Sequence, residues 1–540
     1  MRSTIVVWGS VVLAAACGGG GSSRPDGGGG GPDAPAAIDS GSGRYTLTVE
    51  RNGDASGTVS SEDGAIDCGA TCSAAYDDGA TVVLTASPDT GAAFGAWTGC
   101  DSTDGAECTV TVTAATTVTA TFGLAPATIL VSAADGDTDA KPALEPDVSA
   151  DGRYVVFYSL ASGFVPGVTG TANQAYRRDV QTNATELVSA ISGEDTQGNL
   201  GGTFPRISDD GRYVLFYSNS SDLVIGKTGA DTQYYRRDMD SKTTVLVSAR
   251  SGTTTEGSNV AVLGNAEITA DGRLVAFATQ GTNMVPAQAH PGVFLRDVET
   301  SATTHVSVPV SGSLAPIQCS DPDVNADGTF VAFMCFGSNL VEGFVAGGIN
   351  DGHIYLRDVG AGVTHLVSHA AGTTTQAADS SSLQPNISPD GRYVVFSSSA
   401  TNLVTGVSGS QIYLYDHDAG TVSLASAADG DTTPAESGSG SGFPRVSEGG
   451  RYVFFSSSAT NLVPGTPFDT SQKLHRRDTL TGGTVHVSLA DGTNELSNGG
   501  NGHVSISPTG SHMVWESNAT NLVPGVTSGA THVYLRVVGP

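Results

Sequence analysis

One phrase recurs seven times along this chain, and its spacing limits the fold more than any other feature. It reads Pro146-Asp-Val-Ser-Ala-Asp-Gly152-Arg-Tyr, Pro205-Arg-Ile-Ser-Asp-Asp-Gly211-Arg-Tyr and Pro385-Asn-Ile-Ser-Pro-Asp-Gly391-Arg-Tyr, with variants at 266–274, 322–330, 444–452 and 504–512. The turn glycines 152, 211, 272, 328, 391, 450 and 510 are 59, 61, 56, 63, 59 and 60 residues apart. A period this regular is the mark of repeated units, none of which buries its apolar surface alone.

Each repeat reads as four strands. A short strand A ends at the Asp-Gly turn, and strand B follows as Tyr154-Val-Val-Phe-Tyr-Ser159. Tyr154, Val156 and Tyr158 share one face while Val155 and Phe157 share the other, so both faces are apolar, as in a sheet packed between neighbours. Strand C is Tyr176-Arg-Arg-Asp179, Phe294-Leu-Arg-Asp297 or Tyr355-Leu-Arg-Asp358, and strand D is Leu187-Val-Ser189, Leu246-Val-Ser248 or Leu366-Val-Ser368. The last repeat has no strand D after Val533-Tyr-Leu-Arg-Val537, but a matching segment, Thr128-Ile-Leu-Val-Ser132, precedes the first repeat. The fold expected for residues 124–540 is therefore all-β: a seven-bladed β-propeller with four-stranded blades, closed by its own N-terminal strand.

The phrase Ile387-Ser-Pro-Asp-Gly391-Arg-Tyr-Val-Val-Phe396, followed by Ile412-Tyr-Leu, resembles the WD40-like repeats of TolB-type propellers. Residues 44–123 form a separate module of alternating strands. It carries Ile66-Asp-Cys-Gly-Ala-Thr-Cys72, Phe94-Gly-Ala-Trp97-Thr-Gly-Cys100 and a closing Val118-Thr-Ala-Thr-Phe122. In that order these resemble the divergent internalin B-repeat, or bacterial repeat domain, which implies a small all-β unit without catalysis. Phe94 and Trp97 read as core residues. Spacing suggests bridges Cys68–Cys72 and Cys100–Cys108, although four cysteines allow three pairings. Cys319 and Cys335 straddle the turn at Gly328, where strands A and B can set them opposite each other in a disulfide; a free thiol pair is the alternative.

Those six cysteines leave one over. Met1-Arg2 and the apolar run from Ile5 to Ala16 read as a signal peptide, too short to span a bilayer. The run ends in Leu13-Ala14-Ala15-Ala16-Cys17, which resembles a bacterial lipobox with its Leu four residues before the cysteine. The resemblance implies that residues 1–17 are a lipoprotein signal peptide and that Cys17 is the lipidated residue, the membrane being reached through the lipid anchor only. Ordinary cleavage and free secretion is the alternative. Residues 18–43, with 11 glycines, read as a disordered tether. The expected location is the cell envelope, at the outer membrane or cell surface of a Gram-negative bacterium.

The net charge of −29 argues against nucleic acid. It suits a divalent cation or a basic partner, and equally solubility alone. No cofactor is expected. Asp135, Asp137 and Asp139 are spaced so that their carboxylates can converge on Ca²⁺, but Ala140 and Pro146 stand where an EF-hand needs Gly and Glu. No Gly-x-Ser-x-Gly elbow, His-Glu-x-x-His or phosphate-cradling loop occurs, so no catalytic residue is assigned. The Arg-Asp pairs of strand C recur in most repeats and read as turn and ion-pair positions. Asn461-Leu-Val-Pro-Gly465 and its variants read as loop anchors. The long B–C and D–A loops share one rim. The expected function is a non-catalytic scaffold binding an envelope protein or polysaccharide through that rim. The alternatives are a structural or adhesion protein, and a glycan-active propeller hydrolase or lyase, which would bring carboxylates or histidines together in the channel.

Overall fold

The computed structural model describes residues 43–538, apart from residue 54 and residues 69–71, 90–91, 136–138, 169–171, 287–290, 311–317, 337–339, 349–350, 437–439 and 467–470. The signal peptide, Cys17 and the tether up to residue 42 lie outside the described residues, as does Asp137. Among the described residues no helix is long and apolar enough to cross a membrane.

The first module consists of two four-stranded sheets. In one, Arg44–Asn52 lies between Ser73–Asp77 and a parallel neighbour, Thr116–Leu124. Alternation puts Leu47, Val49, Leu84, Val110 and Phe122 inside. Trp97 joins them with its indole N–H on the Ala106 carbonyl (3.0 Å), and Phe94 packs against it. Disulfides join Cys68 to Cys72 and Cys100 to Cys108.

The remainder is a succession of seven four-stranded antiparallel sheets in a propeller-like arrangement. The first comprises Leu144–Val148, Tyr154–Ser159, Gln174–Asp179 and Ala184–Leu187 in that order. In the seventh, Asn501–Ile506, His512–Ser517 and His532–Val537 are joined by Ala127–Leu130, with Leu130 opposite Tyr534 and Thr128 opposite Arg536. Period-2 alternation then builds the interior between sheets. Val155 and Phe157 pack with Val514, Val533 and Leu535 of the seventh sheet, while Val156 packs with Ile207, Val214 and Phe216 of the second. A disulfide joins the directly opposed Cys319 and Cys335 of the fourth sheet.

Strand D ends one to two residues earlier than the Leu-Val-Ser phrase suggests. Leu187 still pairs with Tyr176, but the Ser189 hydroxyl then accepts the Ala175 amide (3.1 Å), replacing a ladder carbonyl with a side chain. The turn phrase fastens neighbouring sheets together. Gly211 has φ 75°, and a Cβ there would lie 2.2 Å from the Tyr154 ring of the previous sheet. The Arg177 guanidinium covers that ring at 4.5 Å and donates to the Gly211 carbonyl (2.6 Å).

Candidate functional site

The recurring charges are used in the scaffold. Arg178 donates to the Ala133 carbonyl (3.1 Å) and to Asp135 (2.7 Å), clasping the loop that enters the first sheet. Arg237, Arg296 and Arg477 clasp the corresponding loops through backbone carbonyls. The aspartates that end strand C receive the arginine of the turn instead: Arg153 to Asp179, Arg212 to Asp238, Arg273 to Asp297 and Arg392 to Asp416, each at 2.7 Å. Asp135 also accepts the Thr185 amide (3.1 Å), so its carboxylate faces Arg178 and a backbone N–H. Asp139 lies in the same loop. Among the described residues, no group of three or more His, Cys, Asp or Glu is arranged to hold a metal ion.

The long-loop face is rigidly built. Asn402 accepts the Asp379 amide (3.0 Å) and donates to the Ala377 carbonyl (3.2 Å), tying a B–C loop to a D–A loop. Asn283, Asn461 and Asn521 do the same in other repeats, and Leu403, Leu462 and Leu522 beside them are buried. Apolar side chains are nevertheless displayed on this face, Leu200 at 58% and Ile225 at 93% exposure.

The strands A converge on a site that sequence reasoning did not identify. In each, the register against strand B slips just before the turn phrase, as between Leu144 and Asp147 or Gly442 and Arg445. The residue before the proline takes a left-handed conformation: Glu145 (φ 52°), Phe204 (49°), Asp321 (48°), Gln384 (55°) and Phe443 (51°). Each such residue costs about 1–2 kcal/mol, and the bulge re-aims the side chains around it. Asp147, Arg206, Glu267, Asp323, Asn386, Arg445 and Ser505, one from each sheet, line a cavity of about 130 Å³ that continues to the short A–B turns. Five of them, with Glu145, Asn265, Asp321, Gln384, Phe443 and His503, line a second cavity of about 260 Å³ at the other ends of the strands, toward the D–A loops.

Charges and hydrogen bonds around this ring are largely answered within it. Arg206 Nε is 3.3 Å from Glu267 and its Nη2 is 3.8 Å from Glu145. Burial works to lower the Arg206 pKa, but Glu267, Glu145 and Asp147 outweigh it and leave the pKa raised. Asp147 accepts the Ile207 amide (2.9 Å) and the Ser505 hydroxyl (2.6 Å), linking the first sheet to the second and to the seventh. Asp323 accepts the Ile387 amide (2.8 Å) and Asn386 Nδ2 (2.6 Å), and burial raises its pKa. Burial, reinforced by Asp147 and Asp323, pushes Glu267 up to about 8 despite Arg206. Arg445 is lowered by burial and by Arg206, and it donates to His503 Nε2 (2.9 Å). A guanidinium cannot accept, so His503 carries its proton on Nδ1, and burial holds the ring neutral.

The sequence signal for this site was present in the phrase itself. Within Pro-x-Val/Ile-Ser the flanking residues recur, while x runs through Asp, Arg, Glu, Asp, Asn, Arg and Ser. A slot that varies in charge inside a constant frame marks the place where the repeats do different work.

A family model described as "Divergent InlB B-repeat domain" matches residues 45–126, so the first module is similar to that family. Among solved structures, the chain is similar to the β-propeller domain of the Trilobed protease from Pyrococcus furiosus, with 14% identity over 74% of this chain and 94% of that one, TM-score 0.43. It is also similar to oligogalacturonate lyase from Vibrio parahaemolyticus, with 13% identity over 77% of this chain and 97% of that one, TM-score 0.44. TolB from Acinetobacter baumannii shows 15% identity over 72% of this chain and 81% of that one, TM-score 0.33. No curated protein matches the chain. Identities this low carry no activity from those proteins to this one.

Proposed function

We propose that this chain is a non-catalytic envelope lipoprotein, anchored through Cys17, whose seven sheets are the blades of one closed propeller. Its long-loop face, with the mouth of the axial cavity at its centre, binds an envelope protein or polysaccharide. The observation that carries this reading is the variable slot of strand A. The recurring arginines, aspartates and asparagines of the repeat serve as scaffold, whereas this slot runs through Asp, Arg, Glu, Asn and Ser, and the left-handed position before the proline through Glu, Phe, Asp and Gln. A rigid frame presenting a non-repeating set of side chains is suited to recognition. Closure is supported by the Glu145 amide on Glu516 (3.1 Å) and by Ser505 on Asp147, both joining the first sheet to the seventh.

The test is capture from detergent-solubilised envelope and polysaccharide fractions on the full-length protein, with and without Ca²⁺. A saturable partner that is lost in the double variant Leu200→Ser, Ile225→Ser supports recognition by the long-loop face. Absence of any partner shifts the reading to a structural role. A glycan-active enzyme is favoured by one observation, the half-buried Glu267 carboxyl lining one cavity with Asp147 and Asp323, its pKa pushed up to about 8. Release of new reducing or unsaturated ends from an envelope polysaccharide, abolished in Glu267→Gln, would establish it.

A further inference from the structure

At the mouth of the axial cavity each sheet contributes the residue that stands seven before its turn glycine: Glu145, Phe204, Asn265, Asp321, Gln384, Phe443 and His503. All but Phe204 line the 260 Å³ cavity toward the D–A loops, and all but His503 are at least partly exposed. Five of them, from Glu145 to Phe443 with Asn265 excepted, hold a left-handed backbone. Such strain persists where function requires a side chain in one place. The chemistry of this rim is restricted. Three members are flat rings, two are carboxamides and two are carboxylates, and none is a lysine, an arginine or an aliphatic residue.

Phe204 belongs to a wider aromatic patch, its ring 5.7 Å from Tyr158 and 6.1 Å from Tyr217, both half-exposed. The position of these tyrosines holds Ala278, Met334, Ser397, Ser456 and Glu516 in the other sheets, so the patch occupies one sector of the mouth. Tyr234 donates its hydroxyl to the Gly264 carbonyl, whereas Tyr158 and Tyr217 make no such bond among the described residues. In another sector the Phe443 ring lies 6.3 Å from His503. The carboxylates between keep acceptor capacity. Glu145 approaches His503 (3.5 Å) and Arg206 (3.8 Å) through Oε2, and Asp321 takes the Ser320 hydroxyl on Oδ2 (3.1 Å), which leaves Oε1 and Oδ1 to accept. Flat apolar faces pack against the C–H faces of a sugar ring, and carboxamides and carboxylates exchange hydrogen bonds with its hydroxyls. An acidic sugar would meet Glu145 and Asp321 first, because the two arginines of the cavity stand deeper, among Asp147, Glu267 and Asp323.

We propose that the mouth of the axial cavity binds uncharged pyranose units of an envelope polysaccharide. Phe204 with Tyr158 and Tyr217 is the stacking face, and Glu145, Asn265, Asp321 and Gln384 are the hydroxyl partners. This site rests on the reading that the cavity mouth is a recognition site, and it names the chemistry recognised there.

The test is calorimetric titration of the full-length protein with cellohexaose, maltohexaose, mannohexaose and chitohexaose, and with hexagalacturonate as the acidic counterpart. At least one neutral oligosaccharide is expected to bind saturably, with hexagalacturonate at least about tenfold weaker. Phe204→Ala is expected to weaken that binding by about tenfold or more. Asn265→Ala changes an exposed side chain on a backbone that is not left-handed. It should weaken binding by about three- to tenfold, and it separates lost recognition from lost folding. Absence of binding by every neutral oligosaccharide, equal or tighter binding of hexagalacturonate, or binding indifferent to both substitutions would each overturn the site. A protein partner captured through Leu200 and Ile225 without oligosaccharide binding removes the sugar site and leaves the scaffold standing.

Discussion

Gly211 and Glu267 show how single positions are held to different standards. Gly211 is required twice, by its φ of 75° and by the Tyr154 ring 2.2 Å from where a Cβ would stand. Gly211→Ala should therefore cost about 2–4 kcal/mol, read as a fall in the midpoint of chemical unfolding. Glu267 is a half-buried carboxyl whose folded pKa is raised by desolvation to about 8, above that of an unfolded glutamate. A raised folded pKa means that the folded state binds the proton more tightly. The stabilising contribution is present at low pH and is lost as pH rises through the folded value. The thermal midpoint should decline between about pH 4.5 and pH 8 and level off above that, and Glu267→Gln should flatten the decline. A wild-type profile identical to that of the variant would show that Glu267 ionises normally.

At the scale of the element, the four-stranded sheet depends on a short polar phrase at each end. Asp179 and Asp297 are held at about 2 although burial raises them, because the turn arginines and the following backbone amides outweigh it. Asp238 and Asp416 are lowered too, there with the arginine as the leading cause. Their pKa values lie below that of an unfolded aspartate, so the stability they contribute is complete above about pH 4 and is lost as pH falls toward 2. Acid unfolding should fall in that window, and Asp179→Asn should shift its midpoint upward in pH when followed by circular dichroism. The Cys319–Cys335 disulfide closes a loop of 16 residues around the strand A to strand B turn. Replacing both cysteines by Ser should cost about 3 kcal/mol, measured against the native protein in urea.

For the whole molecule, the decisive contact is the one between chain segments most distant in sequence. Thr128 donates its amide to Asp491 (2.9 Å) and receives Arg536 on its hydroxyl (2.6 Å), and Leu130 lies opposite Tyr534. Thr128→Pro removes both hydrogen bonds and leaves an open edge on the seventh sheet. It should cost about 2–4 kcal/mol and increase self-association, measured by urea unfolding and sedimentation. Sheets that pack only against neighbours would unravel from a free end, so the variant should also broaden an otherwise cooperative transition.

Strand positions, the turn phrase, the buried faces of strand B and the source of the seventh sheet's fourth strand were legible in the chain, because each depends on local periodicity repeated many times. Tyr154, Val155, Val156 and Phe157 declare both of their faces within four residues. The site lined by the strands A was not legible in that way. Asp147, Arg206, Glu267, Asp323, Asn386, Arg445 and Ser505 are about 60 residues apart, and each reads alone as an exposed polar residue, five of them beside a proline. Only the packing of seven sheets brings them within reach of one another, and only there do burial and the neighbouring charges raise Glu267 and keep His503 neutral. Local pattern determined the repeating unit; the tertiary structure decided the site, because dielectric and distance are properties of the assembled sheets and of no segment taken singly.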